Sequence, residues 1–156
     1  MPGRILAEIK QSRPFPSLAA EAAVNLMRTT DAVLRGLALA LKPHGLSPGQ
    51  YNVLRILRGA EPTGLPCGEI AARMISHDPD MTRLLDRLEA RGLISRSRDT
   101  RDRRVVLTRI APAGLKLLAG LEAPLERENR RAMGHLGRNR LRQLVTLLEA
   151  VRERPR

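Results

Sequence analysis

Residues 81–94 read Met81-Thr82-Arg83-Leu84-Leu85-Asp86-Arg87-Leu88-Glu89-Ala90-Arg91-Gly92-Leu93-Ile94, and a second stretch soon after reads Asp102-Arg103-Arg104-Val105-Val106-Leu107. Met81, Leu84, Leu85 and Leu88 fall at i, i+3, i+4 and i+7, which is one apolar stripe of an α-helix. The other face carries Asp80, Arg83, Asp86, Arg87 and Glu89. Asp78-Pro79 ahead of the stripe has the form of an N-cap followed by a first-turn proline, and Gly92 that of a C-cap, so the spacing predicts a helix over 78–91. Residues 93–96 and 104–110 have strand character. The polar tip between them holds Arg98, Arg101 and Arg103, with Arg104 opening the second strand. An amphipathic helix therefore runs straight into a basic β-hairpin.

The flanks extend the pattern in both directions. Upstream, 17–42 reads as one long helix with Leu26, Val33, Leu37 and Ala40 along a face, ended by Pro43-His44-Gly45. Ser47-Pro48-Gly49-Gln50 is a capping box with a first-turn proline, and Tyr51, Leu54, Ile56 and Leu57 continue that helix to Gly59. Residues 59–66 are expected to be a loop, with Gly59, Pro62, Gly64 and Pro66 as breakers. A short helix is expected over 67–74, turning Ile70, Ala71 and Met74 inward. Downstream, 112–152 is helical, kinked at Pro124 and divided near 134–139, with Leu141, Leu144, Val145, Leu148 and Val151 striping its last part. The expected fold is mostly α with a small β-hairpin wing: a winged helix-turn-helix over 46–111 with flanking dimerisation helices over 17–44 and 113–153, and an N-terminal arm over 1–16 marked by Pro2, Pro14 and Pro16. The outer stripes are longer than the central module needs, and a second copy of the chain, in a homodimer, is the simplest cover for them.

The two quoted stretches together resemble the MarR family of bacterial regulators (multiple antibiotic resistance regulators), and the order of flanking helices extends the resemblance over about 17–153. It implies a transcription regulator, repressor more readily than activator, that binds double-stranded DNA at a pseudo-palindromic operator and is released by a small-molecule effector. It also implies that Asp102 fixes the wing and Arg104 enters the minor groove, with Arg103 meeting phosphate. One position departs from the pattern: Ala111 precedes Pro112-Ala113-Gly114 where the family has a capping Thr.

The chemistry of DNA recognition suits these residues independently. A major groove admits one helix, which reads bases with short polar or cationic side chains at its N-terminal end. Ser76, His77, Asp80, Thr82, Arg83 and Arg87 are the candidates there. Arg83 and Arg87 lie one turn apart and can face phosphates or guanine edges. Asp80 can cap the helix and complement its dipole, or accept from cytosine N4. In the tip, Arg101, Asp102, Arg103 and Arg104 form the minor-groove candidate, since an exposed arginine loop senses groove width.

Composition narrows the rest. The 156 residues carry 28 Lys and Arg against 16 Asp and Glu, a net charge of +12. Only Lys10, Lys42 and Lys116 are lysines. A polyanionic partner is favoured. No stretch of about 18 apolar residues exists to span a membrane. A single cysteine, Cys67, excludes an intrachain disulfide and suggests a reducing cytoplasm. Cys67 at a helix start could sense oxidants, though its apolar neighbours suggest a small buried residue. His44, His77 and His135 have no companions at ligand spacing, so no metal and no cofactor are expected. No nucleotide-binding glycine loop or nucleophilic set stands out, so an enzyme is not expected. Tyr51, on the helix that joins the two lobes, is the candidate effector contact, and the nearby arginines favour a small anionic aromatic effector. Competing readings are a redox regulator acting through Cys67, a sequence-independent architectural DNA-binding protein, and a protein–protein module built on a winged helix.

Overall fold

The computed structural model describes residues 3–153; Met1, Pro2 and residues 154–156, and with them the first two positions of the expected arm, lie outside the described residues. The arm is not featureless: a single turn, α1 (Ile5–Glu8), lies in it, and its Ile5 is buried. Helix α2 (Leu18–Leu41) starts where Ser17 Oγ accepts from Ala20 N–H and ends in a 3₁₀ turn, Lys42–His44, closed by Gly45 at a φ of 67°. The left-handed conformation at Gly45 is one that glycine adopts without strain.

Helix α3 (Pro48–Arg58) has the expected capping box in both directions: Gln50 N–H donates to Ser47 Oγ at 3.1 Å, and Ser47 N–H donates to Gln50 Oε1 at 3.0 Å. Next come β1 (Leu65–Pro66) and α4 (Cys67–Arg73). The two-residue strand lies inside the expected loop. It has no room for alternation, and it exists because β3 (Val106–Ile110) offers it a free edge, with Leu65 opposite Thr108.

Helix α5 (Met81–Ala90) begins three residues later than the sequence suggested. Asp80, not Asp78, is the N-cap, and its Oδ1 accepts from Arg83 N–H at 3.1 Å. Asp78 instead accepts from Asp80 N–H at 2.8 Å, an Asx turn that sets the cap in place. Strand β2 (Ile94–Arg98) pairs antiparallel with β3, Ile94 opposite Ile110 and Arg98 opposite Val106, so the sheet order is β1-β3-β2. The pairing reaches further along β2 than expected and starts later on β3. The backbone turns through 102–105, where Val105 N–H donates to Asp102 C=O.

Helix α6 (Pro112–Met133) passes through Pro124 as one uninterrupted element. The carbonyl at Gly120, which loses its partner there, sits at an exposed position that water can reach. A 3₁₀ turn, Gly134–Leu136, then leads into α7 (Gly137–Arg152), so the expected division falls at the start of its predicted window.

One aliphatic core unites the lobes. Leu54 and Leu57 from α3, Ile70 from α4, Leu85 and Leu88 from α5, and Leu118 and Leu121 from α6 are all essentially inaccessible. Each such side chain contributes about 1.5–3 kcal/mol relative to exposure. Met81, Leu84, Leu85 and Leu88 are all buried, as the stripe required. The outer stripes fare differently: Val33, Leu37, Ala40, Leu141, Leu144 and Leu148 are half-buried and Leu26, Val145 and Val151 exposed, while Met27, Leu39 and Leu147 beside them stay more than half exposed.

Candidate nucleic-acid interface

With its stripe turned into the core, α5 presents Thr82, Arg83 and Arg87 to solvent. Ser76 and His77 are exposed on the turn that leads into it, and Asp80 is exposed at its start with one oxygen engaged as the cap. Asp86 and Glu89 would repel a polyanion from the same helix. Both are held by Arg96 of β2: Nη2 lies 2.6 Å from Asp86 Oδ1, Nε donates to Glu89 Oε2 at 2.9 Å, and Arg96 N–H donates to Glu89 Oε1 at 3.1 Å. The Arg96 hydrogen bonds hold the Glu89 carboxyl below the usual glutamate range, and Glu89 and Asp86 together raise the Arg96 guanidinium. Arg96 therefore engages both acids, offsets one of their two negative charges, and ties α5 to the hairpin. At the other end of α5, Arg91 donates to the carbonyls of Gly45 at 2.7 Å and His44 at 3.1 Å, anchoring it to the α2–α3 junction.

The hairpin tip is organised by its own side chains. Asp102 Oδ1 accepts from Arg104 N–H at 3.0 Å and from Arg104 Nε at 3.1 Å, and Oδ2 accepts from Nη2 at 3.2 Å. These bonds depress the Asp102 carboxyl below its ordinary range. The fork leaves the Arg104 side chain 91% exposed but aimed. Arg98 donates to the Arg103 carbonyl at 3.1 Å, and Asp99 accepts from Arg101 N–H at 3.2 Å, so the loop holds a defined shape. Arg101 and Arg103 are exposed, and their side chains meet no carboxylate among the described residues. At the hairpin root, Arg109 bridges Pro62 C=O and Ser97 Oγ.

The MarR-family sequence profile matches residues 46–106, the span of α3 through the wing. A MarR transcription factor of Planctomyces limnophilus, known from its crystal structure, is 42% identical; the match covers 87% of this chain and 98% of that one, with a TM-score of 0.68. This chain belongs to the MarR family. It is a transcription regulator and not an enzyme. Another similar structure is the transcriptional repressor CouR of Rhodococcus jostii RHA1, solved on a 23-mer DNA duplex: 26% identity, TM-score 0.77, 95% of this chain and 97% of that one covered. The homoprotocatechuate degradative operon repressor of Escherichia coli is 25% identical over 81% of this chain and 84% of its own length.

In this MarR-family chain a cavity of about 360 Å³ lies where the two lobes meet. Leu34 and Leu37 of α2 and Leu125 of α6 form an apolar side, Tyr51, Asn52 and Arg55 of α3 a second, and Met74 through Asp78 the third. Tyr51 is half-buried in that wall, and the Arg55 guanidinium stands 5.8 Å from its ring centroid, a cation–π distance. Sequence reasoning singled out Tyr51 but missed Asn52 and Arg55. The cavity assembles from four segments remote in the chain, and no local pattern announces it. It also missed Arg96, although an arginine opposite two acids at i and i+3 on a preceding helix was a usable signal. Cys67 is a correction: it is exposed, not a small buried residue. It is the first residue of α4, at the end of the helix, and Ile70 is the residue of that helix that reaches the core. Among the described residues no cluster of His, Cys, Asp and Glu could hold a metal, and no helix is long and apolar enough to cross a membrane.

Proposed function

We propose that this regulator is a cytoplasmic repressor that binds a pseudo-palindromic operator as a homodimer and is released by a small anionic aromatic effector. The carrying observation is the juxtaposition of an outward Thr82-Arg83-Arg87 face on α5 with an exposed, forked Arg104 on the wing, Asp86 and Glu89 of α5 being engaged by Arg96. That pairing suits a helix in the major groove and an arginine in the adjacent minor groove. Residues 46–111 form the DNA-binding unit, and 17–44 with 113–153 the dimerisation region. The exposed apolar side chains of α2 and α7 support that division, for a lone chain leaves them in water. CouR has also been solved with p-coumaroyl-CoA bound, and the Escherichia coli relative is the homoprotocatechuate degradative operon repressor. Here Arg55 at the cavity supplies a cation for an anionic head and Tyr51 a face for an aromatic body.

The test begins with duplexes selected from a random-sequence pool by the protein. The reading expects a two-fold symmetric consensus with half-sites about one helical turn apart, and a two-subunit particle in sedimentation at micromolar concentration. It also expects aromatic carboxylates to lower affinity in fluorescence anisotropy. Selection of no consensus would favour the architectural reading. Release by peroxide in wild type but not in Cys67→Ser, with carboxylates inert, would replace the cavity by the cysteine.

A further inference from the structure

We infer that Asn52 is the positioning residue that couples the cavity to the recognition helix α5, holding that helix's entry turn with one end of its amide and meeting the effector with the other. The inference rests on reading the cavity as the effector site.

Among the described residues Asn52 is one of two buried polar side chains, only 9% exposed. Its Oδ1 accepts from the backbone N–H of Ile75 at 2.8 Å. Ile75 follows Met74, the C-cap of α4, and opens the stretch that leads to the Asp80 cap. The other hydrogen bonds of that stretch are local: Asp78 takes Asp80 N–H, and Asp80 takes Arg83 N–H. Among the described residues, the Asn52 bond is the hydrogen bond that ties residues 75–79 to another element. Because Ile75 offers a donor, the amide oxygen must face it, which fixes the orientation of the amide.

The nitrogen end is then determined. Asn52 Nδ2 donates to no group among the described residues, yet no buried side-chain nitrogen or oxygen is left without a partner. Nδ2 is therefore accessible, and the open space at Asn52 is the cavity that it lines with Tyr51, Arg55 and Ile75. A carboxylate or phenolate oxygen in the cavity can accept from Nδ2 while Arg55 balances its charge. The amide is a rigid plane, so drawing Nδ2 toward a ligand moves Oδ1 away from Ile75. The Ile75 N–H must then find water, and the entry turn of α5 loosens. For release, the ligand must bind the loosened state better, its oxygen reaching Nδ2 fully only when Oδ1 has left Ile75. This is the differential affinity that any release mechanism needs.

Two substitutions separate the ends of the amide. Asn52→Asp keeps an acceptor for Ile75 but replaces the donor with a charge that repels an anion; Asn52→Ala removes both. Ile75→Pro removes the backbone donor without touching Asn52, and Met74, at φ −64° and ψ 139°, already has the extended conformation required before proline. The readouts are amide hydrogen exchange of the peptide covering 75–80, and anisotropy on a selected duplex with and without millimolar 4-hydroxybenzoate or 4-hydroxycinnamate. In wild type the probe should speed exchange at 75–80 and weaken DNA binding about tenfold, within the usual range of coupling. Asn52→Ala and Ile75→Pro should show the fast exchange and weak binding without probe, and little further response. Asn52→Asp, which keeps the acceptor, should hold exchange at 75–80 slower than Asn52→Ala does and should lose the probe response, a result that a purely structural asparagine would not produce. Wild-type exchange and DNA affinity in Asn52→Ala would overturn the inference. So would an unaltered probe response in Asn52→Asp, with the cavity reading left standing. If instead Asn52→Ala loosens the turn while the probes leave wild type unchanged, the cavity reading falls and the coupling with it, and Asn52 is only a structural tether.

Discussion

Replacing Arg104 by alanine should damage DNA binding while leaving the fold intact, and the structure sets the size of both effects. The side chain is 91% exposed, and its partner is Asp102. An exposed pair of this kind contributes little to folding, so the melting temperature should stay where it is. On DNA, loss of an arginine that contacts a base edge costs about 1–3 kcal/mol per half-site. The two half-sites of a dimer are far enough apart for the losses to add, which makes the total about 2–6 kcal/mol. Each arginine that also neutralises a phosphate should lower the slope of log affinity against log salt by about one. The substitution has a second consequence: Asp102, no longer forked, presents a bare carboxylate to the groove. Asp102→Asn in the Arg104→Ala background should therefore recover part of the loss. Anisotropy on a selected duplex at several salt concentrations measures all of this, with Arg152→Ala on α7 as the control. Equal losses for Arg104→Ala and Arg152→Ala would mean that general charge, not an aimed arginine, drives binding.

Three further expectations follow from other parts of the fold. Arg96 holds Glu89 below the usual glutamate range, so that stabilisation is fully present above the ordinary glutamate pKa and is lost as pH falls through the depressed one. Melts of wild type and Arg96→Ala should differ by a constant amount from neutral pH down to that range and converge below it; a difference that vanishes between pH 8 and 6 would contradict the assignment. Ala111, the N-cap of α6, makes no side-chain cap, so Ala111→Thr should add about 1 kcal/mol, seen as a rise of about 2–4 °C in melting temperature; no rise would show that this helix end is already satisfied. Val145 and Leu147 are exposed on α7, and replacing both by glutamate should convert a dimer to monomers in sedimentation with the winged helix still folded; an unchanged particle would place the interface elsewhere.

How much of this was legible depended on the range over which each feature is decided. The α5 stripe, the Ser47–Gln50 capping box and the Gly45 stop are local, and each lies where the spacing put it. The start of α5 was misplaced because Asp78-Pro79 and Asp80 are both competent caps, and only the Asx turn at Asp78 decides between them. Strand β1 was invisible because two residues carry no period; it is made by the free edge of β3. Gly114 shows the same limit from the other side. It reads as a helix residue, yet a Cβ there would meet the Leu93 carbonyl oxygen and lie 2.8 Å from Ile110 Cγ1, so the close packing of α6 on the hairpin root needs its absence. The cavity is the extreme case, assembled from α2, α3, the turn before α5, and α6. Tyr51 was found because it is one of two aromatics, and Asn52 was not because nothing in its neighbourhood marks it.

The charge of the chain illustrates why the site has to be read from geometry. A net charge of +12 suggests a broad cationic surface, but α5, the helix proposed to meet DNA, also carries Asp80, Asp86 and Glu89. Each of these acids is turned to internal use: Asp80 closes the helix start, and Asp86 and Glu89 grip Arg96. Arg96 is likewise engaged with carboxylates, while Arg91 and Arg109 are fixed on neutral carbonyl and hydroxyl oxygens and keep their charge. The cations left free on the recognition helix and wing are Arg83, Arg87, Arg101 and Arg103, with Arg104 shared with Asp102. Internal pairing leaves the net charge at +12, which attracts any polyanion; what the geometry adds is a few unpaired guanidiniums at fixed positions on α5 and the hairpin tip. The general charge supplies sequence-independent attraction, and guanidiniums held at fixed positions are the part of the surface that can discriminate one duplex from another.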